Sequence, residues 1–119
     1  MERYKFPKKL RLDNDKKFRD VFRNSKSIFI TDITILYRTN FLEYPRVGIC
    51  ISKKVIKRAH ERNRIKRLIR ESFRLHQNYL RSIDFIIIIK KSLINKNNHS
   101  ILNILKILWK NFRIMEDDC

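Results

Sequence analysis

The sequence predicts one small α/β sandwich: a four-stranded mixed sheet, three helices and a βαβ crossover. Three observations carry this expectation. Residues 33–39 and 46–52 alternate in the manner of half-buried strands, and residues 83–89 form a nearly unbroken apolar run. Between the last two runs lies a long stretch with apolar residues at helical spacing, and a strand–helix–strand succession suggests a parallel crossover. At 119 residues and 43% apolar content, the chain can bury one modest core but not two.

Each element follows from its own signals. Asp13 or Asn14 caps a first helix that runs to about Arg23, with Phe18, Val21 and Phe22 on one face. Residues 24–27 are a polar break, and a short extra strand is expected at 28–30. In the first long strand, Ile33, Ile35 and Tyr37 share one face, while Thr34, Leu36 and Arg38 share the other. Pro45 marks the next turn and biases Tyr44 toward extended geometry. In the second long strand, Val47, Ile49 and Ile51 share a face. Gly48, Cys50 and Ser52 keep the opposite face low, open to close approach by a helix or a ligand.

A helix is expected over residues 59–80, with Ile65, Leu68, Ile69, Ser72, Phe73, His76 and Leu80 on one stripe. Asn63, Arg67, Arg70 and Arg74 fall opposite, flanked by His60, Arg64 and Lys66. Arg62 lies near the apolar edge, from which it reaches past the helix start. The run 83–89 reads as a strand buried on both faces. A last helix over 99–113, capped by Asn97 or Asn98, turns Ile101, Ile104, Leu105, Leu108 and Phe112 inward. Residues 1–12 and 114–119 are expected to be flexible.

Charge carries the functional signal. Lys plus Arg number 29 against 12 for Asp plus Glu, a net +17 on a chain too apolar to be a disordered tail. The segment 52–74 concentrates Lys53, Lys54, Lys57, Arg58, Arg62, Arg64, Lys66, Arg67, Arg70 and Arg74 against Glu61 and Glu71 alone. Cations this close repel one another, and a polyanion relieves that cost. A charge run is usually only a solvated face. Here, however, acids are too few for i,i+4 ion pairs along the face, and Arg outnumbers Lys over 62–74, where its planar fork suits phosphate. Asn63 adds a donor and an acceptor for a base edge or sugar hydroxyl. The segment reads as a nucleic-acid-binding helix.

Other chemistry finds little support. A single glycine, Gly48, excludes a Gly-rich phosphate loop. His60, His76, His99 and the scattered carboxylates show no metal-ligand spacing, and no catalytic set is found in the polypeptide. Cys50 and Cys119 make no disulfide framework; Cys50 reads as a small core filler, and a reduced, cytoplasmic setting is expected. Arg3, Lys5, Lys8 and Lys9 precede no apolar segment, so no signal peptide is expected, and the longest apolar run is too short for a bilayer. No paired helices of helix-turn-helix type are evident around residues 59–80.

The segment 46–74, RVGICISKKVIKRAHERNRIKRLIRESFR, closely resembles the protein subunit of bacterial ribonuclease P. That family's hallmark is an Arg-Asn-Arg core with basic flanks, matched by Arg62, Asn63, Arg64, Lys66, Arg67 and Arg70. Ser52, Lys53 and Lys54 match its strand end, and Phe18, Phe22, Leu36, Tyr37 and residues 84–91 also fit. The stretch 58–64, RAHERNR, looks like the gammaproteobacterial branch. The resemblance implies a left-handed crossover, against the usual right-handed rule. It also implies an RNA-containing endonuclease that removes the 5′ leader from precursor tRNA. Catalytic groups and magnesium would belong to the RNA, with no cofactor assigned to the protein.

The implied partners are the catalytic RNA subunit and precursor tRNA, with no membrane and no obligate protein partner. Lys53, Lys54, Arg58, Arg62, Asn63, Arg64, Lys66, Arg67, Arg70 and Arg74 would bind the RNA subunit. Phe18, Phe22 and Tyr37, with charge from Lys17 and Arg19, would line a leader-binding cleft between the first helix and the sheet. A ribosomal or other structural RNA-binding protein without a processing role is the alternative that size and charge allow.

Overall fold

The computed structural model describes residues 10–12, 19–21, 23–30 and 32–113. Its strands are β1 (Lys26–Ile30), β2 (Ile33–Thr39), β3 (Arg46–Cys50) and β4 (Ile83–Ile89). Its two long helices are α1 (Ala59–His76) and α2 (Asn98–Lys110), and residues 19–21 and 23 are helical as well. The sheet runs β1-β2-β4-β3, antiparallel between β1, β2 and β4 and parallel between β4 and β3. This is the mixed sheet expected from the sequence, with α1 as the crossover.

Strand alternation sorts the side chains onto two faces. Ile33, Ile35, Val47, Phe85 and Ile87 lie in the main core, where they meet Ile65, Ile69 and Phe73 of α1 and Ile101, Leu105 and Leu108 of α2. Edge-on aromatic contacts thread this core: Tyr37 to Phe112 at 4.8 Å, Phe112 to Phe85 at 4.9 Å, Phe85 to Trp109 at 5.3 Å and Trp109 to Phe73 at 5.7 Å. Such pairs contribute about 0.5–1.5 kcal/mol each beyond their burial. Trp109, absent from the expected stripe, is fully buried and donates from Nε1 to Ser72 Oγ at 2.9 Å. That bond accounts for a hydroxyl on the packing side of α1. On the other face, Leu12 and Val21 cover Ile86, with Leu36 and Ile88 beside them. β4 is therefore covered on both sides, as its composition suggests.

Boundaries differ where local geometry intervenes. α1 stops at His76 and a 3-10 turn, Gln77–Tyr79, delivers Leu80 to the core in place of continued helix. Residues 10–12, expected within a flexible stretch, are packed: Leu10 and Leu12 are buried, and the Leu12 N–H donates to the Val47 carbonyl at 2.8 Å. Cys50 is not a core filler. It is a free, exposed thiol, because it ends edge strand β3 on the side away from the main core.

The only charge on β4 is Asp84, fully buried in an otherwise apolar strand. Arg46 Nε and Nη2 donate to its two oxygens at 2.8 and 2.7 Å, and Asn40 Nδ2 donates at 2.9 Å. Asn40 also accepts from the Leu42 N–H at 2.8 Å and donates to the Tyr44 carbonyl at 3.1 Å. The carboxylate thereby pins the β2–β3 turn, in which Phe41 holds a φ of 58°. The hydrogen bond to Asp84 raises the Arg46 guanidinium above its ordinary pKa, outweighing the opposing effect of burial. Arg38 stands 3.7 Å from the same carboxylate and donates to the Asp20 carbonyl at 2.8 Å, tying the N-terminal helical turn to the sheet. Asp84→Ala leaves these guanidinium groups without their counter-charge. It should lower stability by about 3 kcal/mol, the low end for a broken buried pair because Arg46 and Arg38 keep some solvent contact; urea unfolding measures this.

Candidate nucleic-acid interface

The interface begins where β3 ends. Ser52 Oγ accepts from the Lys54 N–H at 3.0 Å, and its carbonyl accepts from Val55 and Ile56 at 3.1 and 2.9 Å, closing a tight turn. Ile56 plugs into the core, so the charged residues around it, Lys53, Lys54, Lys57 and Arg58, stay exposed on an anchored segment. Arg62 reaches back past the helix start, as its place near the apolar edge suggests, and its Nη1 donates to the Ile56 and Lys57 carbonyls at 2.8 and 2.9 Å.

Along α1, burial of Ile65, Leu68, Ile69, Ser72 and Phe73 forces the opposite side into solvent. Asn63, Lys66, Arg67, Arg70, Glu71 and Arg74 line a shallow groove of about 360 Å³ there. The two acids are locally occupied, Glu61 by Arg64 at 3.0 Å and Glu71 by Arg74. Among the described residues, no hydrogen bond or ion pair engages the side chains of Lys53, Lys54, Lys57, Arg58, Lys66, Arg67 or Arg70. Cations placed at i, i+3 and i+4 without counter-charge are an electrostatic footprint for a polyanion.

Arg64 departs from this pattern. Its side chain is only 22% exposed and turns along the molecule toward the start of α2. Nε donates to Glu61 at 3.0 Å, and Nη1 to Asn98 Oδ1 at 2.6 Å and the Lys96 carbonyl at 3.5 Å. Nη2 reaches the carbonyls of Ile94 and Lys96 at 3.3 and 3.4 Å. Spacing alone puts Arg64 on the flank of the charged face; only the folded neighbours of that flank reveal its partners.

The second expected site is divided. Lys17, Phe18 and Phe22 lie outside the described residues, and Arg19 is exposed. Tyr37 does not share a face with the N-terminal helical turn: it packs on Phe112 in the main core, while Val21 covers the opposite side. The reason is strand alternation, which groups Tyr37 with Ile33 and Ile35. Among the described residues, an aromatic on the side of Val21 is Phe29, paired across from Thr34 and 74% exposed. On the same face Leu36 and Ile88 are partly buried, and Cys50 is exposed at the opposite edge of the sheet. Phe29 was legible as the strand partner of the Leu36 side once a first strand at residues 26–30 is allowed.

Among the described residues, no group of three His, Cys, Asp or Glu side chains is placed to hold a metal ion. Nor is any helix there long and apolar enough to cross a membrane. Fold and surface together define a basic α/β domain that offers a rigid helix face to a polyanion.

More specifically, the chain belongs to the ribonuclease P family: the family model described as Ribonuclease P matches residues 6–113. It is 44% identical over 119 residues to the ribonuclease P protein component of Pectobacterium atrosepticum, covering all of both chains. Its fold is similar to that of the Staphylococcus aureus RNase P protein, with a TM-score of 0.80 and 27% identity over 86% of this chain and 94% of that one. The RNase P protein of Thermotoga maritima matches with a TM-score of 0.76 and 28% identity, over 87% of this chain and 98% of the other.

If the outer face of α1 neutralises phosphates, Arg67→Ala combined with Arg70→Ala should reduce the salt dependence of binding to structured RNA. The slope of log affinity against log salt should fall by about 0.7–0.9 for each phosphate that is no longer neutralised. The melting midpoint should hold or rise slightly, since like-charge repulsion is relieved. Filter binding across a salt series and a thermal melt check both.

Proposed function

We propose that this chain is the protein subunit of ribonuclease P, an RNA-binding subunit that assists a catalytic RNA in removing the 5′ leader from precursor tRNA. The observation that carries the reading is the uncompensated cation face of α1, continued by Lys53, Lys54 and Arg58, in a member of this family. A rigid helix with Asn63 among arginines suits folded RNA, whose deep major groove hides the bases and leaves phosphates and 2′-hydroxyls to be recognised by shape. Lys66, Arg67, Arg70 and Arg74 serve the same contact. The chemistry and its magnesium are assigned to the RNA. The protein's contribution is to neutralise phosphate charge that would otherwise demand more divalent cation, and to hold the substrate's leader.

For the leader, the sheet face covered in part by the N-terminal helical turn is the natural surface, with Phe29 as an exposed stacking platform and Arg19, exposed on that turn, as a source of charge. Base–aromatic stacking contributes about 1–3 kcal/mol per base and tolerates any sequence, as a site for varied leaders must.

Reconstitution with ribonuclease P RNA tests the reading. The chain should stimulate leader cleavage at low magnesium, and an RNA-binding protein without a processing role should not; failure to stimulate defeats the proposal. Phe29→Ala should weaken binding of leader-bearing precursor by about tenfold, within the stacking range, and leave affinity for the RNA subunit unchanged. Tyr37→Phe, in the core, should leave leader binding as it was. A competition assay between precursor and mature tRNA separates these outcomes.

A further inference from the structure

We infer that Arg64 is a positioning residue: its guanidinium sets the spacing of two basic segments and does not itself contact the RNA. The inference rests on the functional reading above, because the affinity it concerns is that for the RNA subunit. An arginine carries five N–H donors. In Arg64 each has a partner within the chain: the Glu61 carboxylate, Asn98 Oδ1, the Ile94 carbonyl, and the Lys96 carbonyl reached from both Nη atoms. A phosphate could be met only by breaking one of these bonds. Arg62 is different: among the described residues it bonds through Nη1 alone and keeps Nε and Nη2 for a ligand.

The partners of Arg64 show what it joins. Glu61 is in the first turn of α1, whereas Ile94, Lys96 and Asn98 belong to the link from β4 into α2 and to the first residue of α2. A cleft of about 270 Å³ opens between these segments, with Lys54, Lys57 and Arg58 on one wall and Lys91 on the other. Glu61 and Ile94, both bonded to Arg64, also line it. The second wall is itself fastened to the sheet. Buried Asp32 accepts from Ser92 Oγ at 2.6 Å and pairs with Lys96 Nζ at 3.5 Å. Arg64 is the tie between that wall and α1. With the tie in place, cations distant in sequence face the RNA at a preset separation; without it, the two anchored segments lose that fixed spacing, which must be restored on binding at a cost in affinity.

The test compares Arg64→Ala, Arg64→Lys and Asn98→Ala with Arg67→Ala as a phosphate-contact control, measuring affinity for ribonuclease P RNA across a salt series well below each melting midpoint. Asn98→Ala removes no charge, yet it should weaken binding in the same direction as Arg64→Ala. The double variant should be no weaker than Arg64→Ala alone, the sign of residues acting through one tie. Arg64→Lys keeps the charge but lacks the fork, and should lose as much affinity as Arg64→Ala, about tenfold, without rescue. Arg67→Ala should lower the salt slope by about 0.9 while Asn98→Ala leaves it unchanged.

Full rescue by Arg64→Lys, together with a silent Asn98→Ala and an Arg64→Ala slope that falls like that of Arg67→Ala, would overturn the inference. If Arg64→Ala fails to fold, Asn98→Ala and Arg64→Lys still decide. Failure of the functional reading is distinct, because it appears in the unmutated chain as a lack of preference for ribonuclease P RNA over a control RNA.

Discussion

Because β3 lies parallel to β4, the chain leaving Cys50 at one end of the sheet must return to Ile83 at the other before it can pair again. The return is α1. Its 18 residues span about 27 Å at 1.5 Å per residue, slightly more than the roughly 23 Å of the seven-residue β4. A helix lying along the sheet has one side that must be apolar and another that cannot be buried. The placement of Ile65, Ile69 and Phe73 against β4 therefore fixes Asn63, Arg67 and Arg70 in solvent. The charged face is a consequence of the crossover, and its rigidity is inherited from the core beneath it.

The same central strand sets the sidedness of the sheet. Ile87 and Phe85 serve the core under α1 and α2, while Ile86 is closed off by Leu12 and Val21. A strand sealed on both sides has no room for an uncompensated charge, so Asp84 requires both oxygens to be met, by Arg46 and Asn40. These bonds fasten the β2–β3 turn, and Arg38, 3.7 Å from the same carboxylate, bonds the N-terminal helical turn. A single buried carboxylate thus helps hold the segment that flanks the second sheet face, where the leader is proposed to lie.

Much of this was legible because strong patterns and final structure coincide. The run 83–89 is β4, the stripe Ile65, Leu68, Ile69, Phe73 is the buried side of α1, and Asn97 caps α2 by accepting from the Ser100 N–H at 2.8 Å. What periodicity could not supply was the set of partners from other elements. Trp109 is buried because Phe73, Phe85 and Ser72 surround it, which no pattern within α2 records. Tyr37 is the opposite case: alternation alone groups it with Ile33 and Ile35 on the main-core face, away from Val21.

The Arg-Asn-Arg core shows why a count of cations is an incomplete description of an RNA-binding surface. Coulomb attraction to a polyanion depends weakly on where each charge stands, and is screened over roughly 8–10 Å at ordinary salt. Charge excess alone therefore yields affinity without much discrimination among RNAs. Recognition of one folded RNA by its shape needs charges held at fixed separations, and repulsion among them works against such order. The fold answers with constraints that come mostly from neutral groups. Ile56 anchors one basic segment, and backbone carbonyls accept from Arg62. Arg64 crosses to the other segment, held chiefly by carbonyl and amide oxygens and by a single carboxylate. One cation withdrawn from the surface gives the remaining ones a geometry.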